Sequence, residues 1–169
     1  MKLWRIYKEL YEHEIMIRNY YDGKLGITFT ILSATAGLII YSIENIDMCV
    51  ADDRILILLQ VVAICLFVLQ MLYTFKAYFS FKFKYKDFPV NLIAKDIKDK
   101  MVNLHEYDDF ETEMTDYISG MLFRTYKICA ETYYDTNISK RKAHHMLNII
   151  TYINFLVLII LYVILFLGK

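Results

Sequence analysis

Three long runs without a single charged residue constrain this chain more than anything else in it. LGITFTILSATAGLIIYSI spans residues 25–43, ILILLQVVAICLFVLQMLYTF residues 55–75 and LNIITYINFLVLIILYVILFL residues 147–167. A bilayer core of about 30 Å is crossed by about 20 apolar helical residues, and each run meets that length. A water-soluble fold of 169 residues has too little interior to hide three helices that are apolar on every side. The expected fold class is therefore all-α: an integral membrane helical bundle of three transmembrane helices plus a helical cytoplasmic insert. Ala34-Thr35-Ala36 imitates a signal-peptide cleavage site, but the apolar run continues through Leu38, Ile39 and Ile40, so an uncleaved span is expected.

Charge in the connections gives an expected orientation. Residues 44–54 carry four acids against one base, whereas residues 1–24 carry five bases and residues 76–146 carry twelve. Lysine and arginine stay on the cytoplasmic side. Residues 1–24, an amphipathic helix, and 76–146, a helical region, are then cytoplasmic, while loop 44–54 and the carboxy terminus lie outside. A bacterial inner membrane is the expected location. Nineteen basic residues balance nineteen acidic ones, so bulk charge does not advertise a nucleic-acid binder. Cys49, Cys65 and Cys129 lie far apart and frame neither a disulfide scaffold nor a zinc site. No cofactor and no metal are expected.

The stretch FSFKFKYKDFP, residues 79–89, alternates aromatic and lysine residues where the second run ends. Rings settle at headgroup level and lysines reach for water and anionic lipid, so an interfacial anchor is expected rather than a strand or a nucleic-acid platform. Continued as a helix, it would gather Tyr73, Phe75, Tyr78, Phe79, Phe81, Phe83 and Tyr85 into a collar, ended by Pro89. Beyond it, Ile93, Ile97, Met101 and Leu104 mark a helix over 91–104. A further helix is expected from Asp108 or Asp109 to about Tyr134, with Gly120 its weak point.

Phosphate-binding, dinucleotide-binding, nucleophile-elbow and zinc-protease signatures are all missing, so the chain does not read as an enzyme. Acids between Glu106 and Glu113 fit the start of a helix better than a carboxylate pair. The basic segment ISKRKAHHM, residues 138–146, precedes the third run. Lys82, Lys84, Lys86, Lys140, Arg141 and Lys142 are candidates for a trigger or lipid contact. Arg141, His144 and His145 are a weak catalytic alternative, because three residues separate Arg141 from His145 where HEPN ribonucleases have four to six.

Within the spans, Gly26, Thr30, Ser33 and Gly37 share a helical face; so do Gln60, Ala63, Phe67, Gln70 and Thr74; and so do Asn148, Thr151 and Asn154. Amides are costly against lipid, and small residues let helices approach closely. Thr30, Ser33, Gln60, Gln70, Asn148 and Asn154 are thus candidates for a helix-contact or pore-lining face. Two readings fit them: packing inside a bundle, and a wetted path lined by several copies in a ring.

The chain also resembles the Pycsar-effector-like membrane proteins of bacterial anti-phage defence. Tyr20-Tyr21-Asp22-Gly23-Lys24 is similar to that family's Asp-x-Lys lead-in to the first span, and Tyr134-Asp135-Thr136-Asn137-Ile138-Ser139-Lys140 looks like its Asn-x-x-Lys approach to the last. The order of two close spans, a helical insert and a final span matches as well. The layout is similar, too, to the pore-forming accessory membrane protein of type VI-B CRISPR systems, where ISKRKAHH would stand for a degenerate HEPN motif. Both resemblances imply a homo-oligomeric effector that permeabilises or depolarises the inner membrane when a nucleotide, nucleic acid or defence protein activates it. A membrane-tethered RNA-binding protein or ribonuclease, and a non-conducting anchor subunit, are the alternatives.

Overall fold

The structure, a computed structural model, describes residues 3–45, 54–79, 84–104 and 110–167. Its five helices are α1 (Leu3–Gly23), α2 (Leu25–Asn45), α3 (Arg54–Tyr78), α4 (Val90–Leu104) and α5 (Phe110–Leu167), and no described residue lies in a strand. Each of the three apolar runs falls inside a helix long and apolar enough to cross a membrane. Between α1 and α2 only Lys24 leaves helical geometry; its carbonyl accepts the amide of Thr28 at 3.0 Å and so starts the next helix.

Two helical boundaries differ from expectation. First, α3 stops at Tyr78, where the Phe79 amide closes the last turn on the Phe75 carbonyl at 2.9 Å, and residues 85–89 are not helical. The aromatic collar is therefore not one helical surface. Tyr78 is buried against α2 residues, while Tyr85 and Phe88 enter a different aromatic core. Phe81 and Phe83 lie outside the described residues. Pro89 begins α4 rather than ending the preceding helix: its carbonyl accepts the amide of Ile93 at 3.1 Å. Second, α5 does not end near Tyr134 but runs unbroken for 58 residues. No glycine or proline occurs between Gly120 and Gly168. Thr132 and Thr136 return their hydroxyls to the carbonyls of Ile128 and Thr132, so polar residues that suggest a stop are absorbed within the helix.

The chain forms two compact units, Met1–Tyr20 with Phe83–Ile138, and Tyr21–Lys82 with Ser139–Lys169. The first is built on tyrosines. Tyr11, Cys129, Ala130 and Tyr133 are buried, with Tyr7, Tyr85, Phe88 and Tyr126 packed round them. Tyr11 meets Tyr133 edge-on at 5.3 Å, and Phe88 stacks on Tyr126 at 4.2 Å. Arg18 lies 4.6 Å over the Tyr85 ring and donates to the Tyr133 hydroxyl at 2.9 Å; that hydroxyl donates to the carboxylate of Asp87. Asn137 is buried and fully engaged: its Nδ2 donates to the carbonyl and Oε2 of Glu14 at 2.9 and 2.8 Å, and its Oδ1 accepts from Tyr85 at 2.8 Å.

The second unit has the opposite polarity. Its outer faces carry Ile27, Leu58, Leu72, Phe75, Tyr152 and Leu156, all more than half exposed, while Thr35, Gln70 and Asn154 are wholly buried. Water rewards the reverse arrangement; hydrocarbon rewards this one. Apolar layers alternate with the polar ones inside, one formed by Ile39, Ala63 and Leu158 and the next by Leu161 and Leu165.

Candidate functional site

The densest polar cluster of the second unit gathers residues from the end of α1, the start of α2, the end of α3 and the middle of α5. Lys140 and His144 stand four residues apart on α5 and so share one face. Lys140 keeps 2% of its side chain exposed and pairs with Asp22, whose side chain is 45% exposed. Its ammonium lies 6.0 Å from the centre of the Tyr78 ring. His144 is enclosed between aromatics, stacked on Tyr21 at 4.8 Å and edge-on to Tyr78 at 4.7 Å. Tyr78 in turn shares a 2.9 Å hydrogen bond with the Thr28 hydroxyl.

His144 is electrostatically unusual. Burial lowers its pKa to about 4, the positive charges of Lys140 and Lys24 push the same way, and Asp22 opposes them. Its Nε2 is buried without a hydrogen-bond partner. The Tyr78 hydroxyl is raised above its ordinary range, chiefly by burial. The imidazole is thus neutral at pH 7.

The candidate helix-contact residues have unequal fates. Gln60 accepts from the Ser42 hydroxyl at 2.6 Å and donates to the Ile39 carbonyl at 3.3 Å. Gln70 donates to Thr151 at 3.0 Å and accepts from Asn154 Nδ2 at 2.9 Å. Gln60, Gln70 and the Asn154 Nδ2 group therefore bond between helices of one chain, while Asn154 Oδ1 is buried without a partner. Thr30 and Ser33 face outward on α2, Thr30 donating back to the Gly26 carbonyl at 3.0 Å. Asn148 is exposed at the rim of a cavity of about 40 Å³ that Thr28, Gln70 and Thr151 also line.

The basic candidates do not gather in one place. Lys84 and Lys86 are exposed in the first unit, Arg141 and Lys142 are exposed in the second, and Lys82 lies outside the described residues. Lys140 alone is buried, because its place one turn before His144 turns it into the bundle. Arg141 and His145 are exposed while His144 is enclosed, so the three share no open cleft. Among the described residues no group of three histidine, cysteine, aspartate or glutamate side chains could hold a metal ion.

Asp22, Thr28 and Tyr78 belong to the cluster; in the sequence Asp22 stands out only through the resemblance, Tyr78 only as part of the aromatic collar, and Thr28 not at all. Comparison with protein-family models, curated proteins and solved structures gives no match.

Proposed function

We propose that this chain is a small multi-pass protein of the bacterial inner membrane, an anti-phage effector that oligomerises and depolarises or permeabilises that membrane when triggered. One observation carries the membrane part: the second unit keeps amides inside and large apolar side chains outside. The effector part rests on the resemblance, and the geometry supports it at the residues that carry the resemblance. Asp22 pairs with the buried Lys140, Lys24 bears on His144, and Asn137 is fully hydrogen-bonded in the first unit. The excess of lysine and arginine in residues 1–24 and 76–146 supports a cytoplasmic first unit in this reading, with the activating signal received there.

Self-association uses the outward face of α2. A Cβ built on Gly26 or Gly37 would meet nothing within 4 Å, and Ser33 lies exposed between them. A second copy can approach this face closely, which satisfies the small polar groups that lipid leaves bare. The ribonuclease reading draws no support from an enclosed His144.

Expression together with the genomic neighbours, followed by phage challenge and a membrane-potential dye, tests the proposal. Loss of potential before lysis is expected. Cells that stay polarised while the protein resides in the membrane fraction would overturn the effector reading, and a chain extracted by alkaline carbonate would overturn the membrane reading.

A further inference from the structure

Buried polar groups in the second unit are stacked along the bundle rather than scattered. At one end stand the Asp22–Lys140 pair and His144. Tyr78, Thr74 and Gln70 follow on α3 at steps of four residues, each a rise of about 6 Å on one face. Gln70 is bonded to Thr151 and Asn154 of α5. At the other end Ser42 and Gln60 are joined. A single apolar layer, Ile39, Ala63 and Leu158, lies between Asn154 and Gln60.

Among the described residues, three buried side-chain atoms along this stack have no hydrogen-bond partner: His144 Nε2, Thr74 Oγ1 and Asn154 Oδ1. Buried polar atoms ordinarily find a partner, and ordered water is the usual one where protein supplies none. The cavity of about 40 Å³ beside Gln70 and Thr151 exceeds the ~10–15 Å³ that one water requires. A proton needs only hydrogen-bonded seats.

We infer that the interior of each single chain is a gated proton path, running from His144 through the Thr74–Gln70–Asn154 region to Gln60, and closed at rest by the Ile39–Ala63–Leu158 layer. This rests on the membrane reading above and names the species that depolarises. The amides do not carry the proton; they seat the water that does. At His144 the arriving proton binds Nε2 and makes the imidazolium, and a proton then leaves the ring for solvent water beside the exposed carboxylate of Asp22. The ring ends neutral, and only N–H and O–H bonds form or break. Facing it are Lys140 on its own helix, Lys24, Asp22 and Tyr21 from the α1–α2 junction, and Tyr78 from α3. The two ammonium groups disfavour a proton resting there, so the imidazolium is short-lived and His144 is the slow step of the path.

The test uses the full chain in phosphatidylethanolamine–phosphatidylglycerol vesicles loaded with a pH dye, with proton entry driven by a potassium–valinomycin potential. Leu158→Asn should raise proton influx about tenfold over wild type, the factor expected when a missing hydrogen-bond partner is restored along the stack. Adding Asn154→Leu or His144→Phe should return it to the wild-type rate. Ala63→Ser opens the same layer more gently and should raise influx in the same direction should Leu158→Asn not elute as a single species. Flotation with the vesicles reports incorporation. Incorporated variants of the layer no leakier than empty vesicles would overturn the path. So would a Leu158→Asn flux indifferent to Asn154→Leu, or potassium release without valinomycin, which would mean a wide pore. Protein that does not float with the vesicles would overturn the membrane reading itself.

Discussion

The buried ammonium of Lys140 is paired with the half-exposed carboxylate of Asp22, 118 positions away in the chain. The pair is asymmetric, and its asymmetry decides what each substitution costs. Asp22→Asn leaves a cation enclosed beside His144 without its counter-charge, which should destabilise by about 3 kcal/mol. Lys140→Met leaves an anion that can turn to water and should cost about 1.5 kcal/mol, the low end for a hydrogen bond to a charged group. Thermal melts in detergent should therefore rank Asp22→Asn below Lys140→Met, with the double variant recovering most of the loss.

Acid should weaken the second unit through His144. Its folded pKa, about 4, lies below the unfolded value near 6.5, so between those values the unfolded chain binds more protons. Stability conferred by the neutral ring is complete above about pH 6.5 and declines as pH falls toward 4. Melting temperature should drop over that window in the wild type, and His144→Gln should flatten the drop. An unchanged slope in the variant would place the titration elsewhere.

Gly120 is an exposed glycine inside α5, and a Cβ there would meet nothing within 4 Å. Gly120→Ala should stabilise by about 0.5–1 kcal/mol, since it removes unfolded-state freedom at no packing cost. A higher melting temperature with unchanged oligomeric mass is the expected result.

Gly37 tests self-association without touching the interior. Gly37→Leu fills the open face of α2 and should lower the oligomeric mass measured by light scattering in detergent. Its helical circular dichroism should stay at the wild-type level. A variant that keeps the wild-type mass would move the contact to another face.

Periodicity and composition revealed the helices because they report what each segment must hide. The uncharged runs at 25–43, 55–75 and 147–167 could be read directly, since lipid-length apolarity needs no knowledge of partners. Termini were harder. Nothing local says that Tyr85 and Phe88 leave the path of α3 for the core around Tyr133, or that Asp135 and Asn137 sit inside α5. The polar cluster was legible only in pieces. Asp22 and Lys140 lay in two separately noticed segments, and pairing across 118 positions is a property of the folded bundle. Gln60 and Gln70 announced that they would face protein, but the choice between a second copy and Ser42 or Asn154 of the same chain has no signature in spacing.

The Ser42–Gln60 hydrogen bond joins two helices separated by only 18 positions, whereas α5 reaches its apolar half some seventy residues later. During synthesis the first hairpin can close before the last helix exists, because contacts near in sequence form first. The nascent chain would then be stored as a two-helix intermediate whose Gln70 waits, unsatisfied, for Thr151 and Asn154. The Gln70 amide can therefore be satisfied only when α5 packs, which makes its bonds to Thr151 and Asn154 the last polar contacts of the bundle to close.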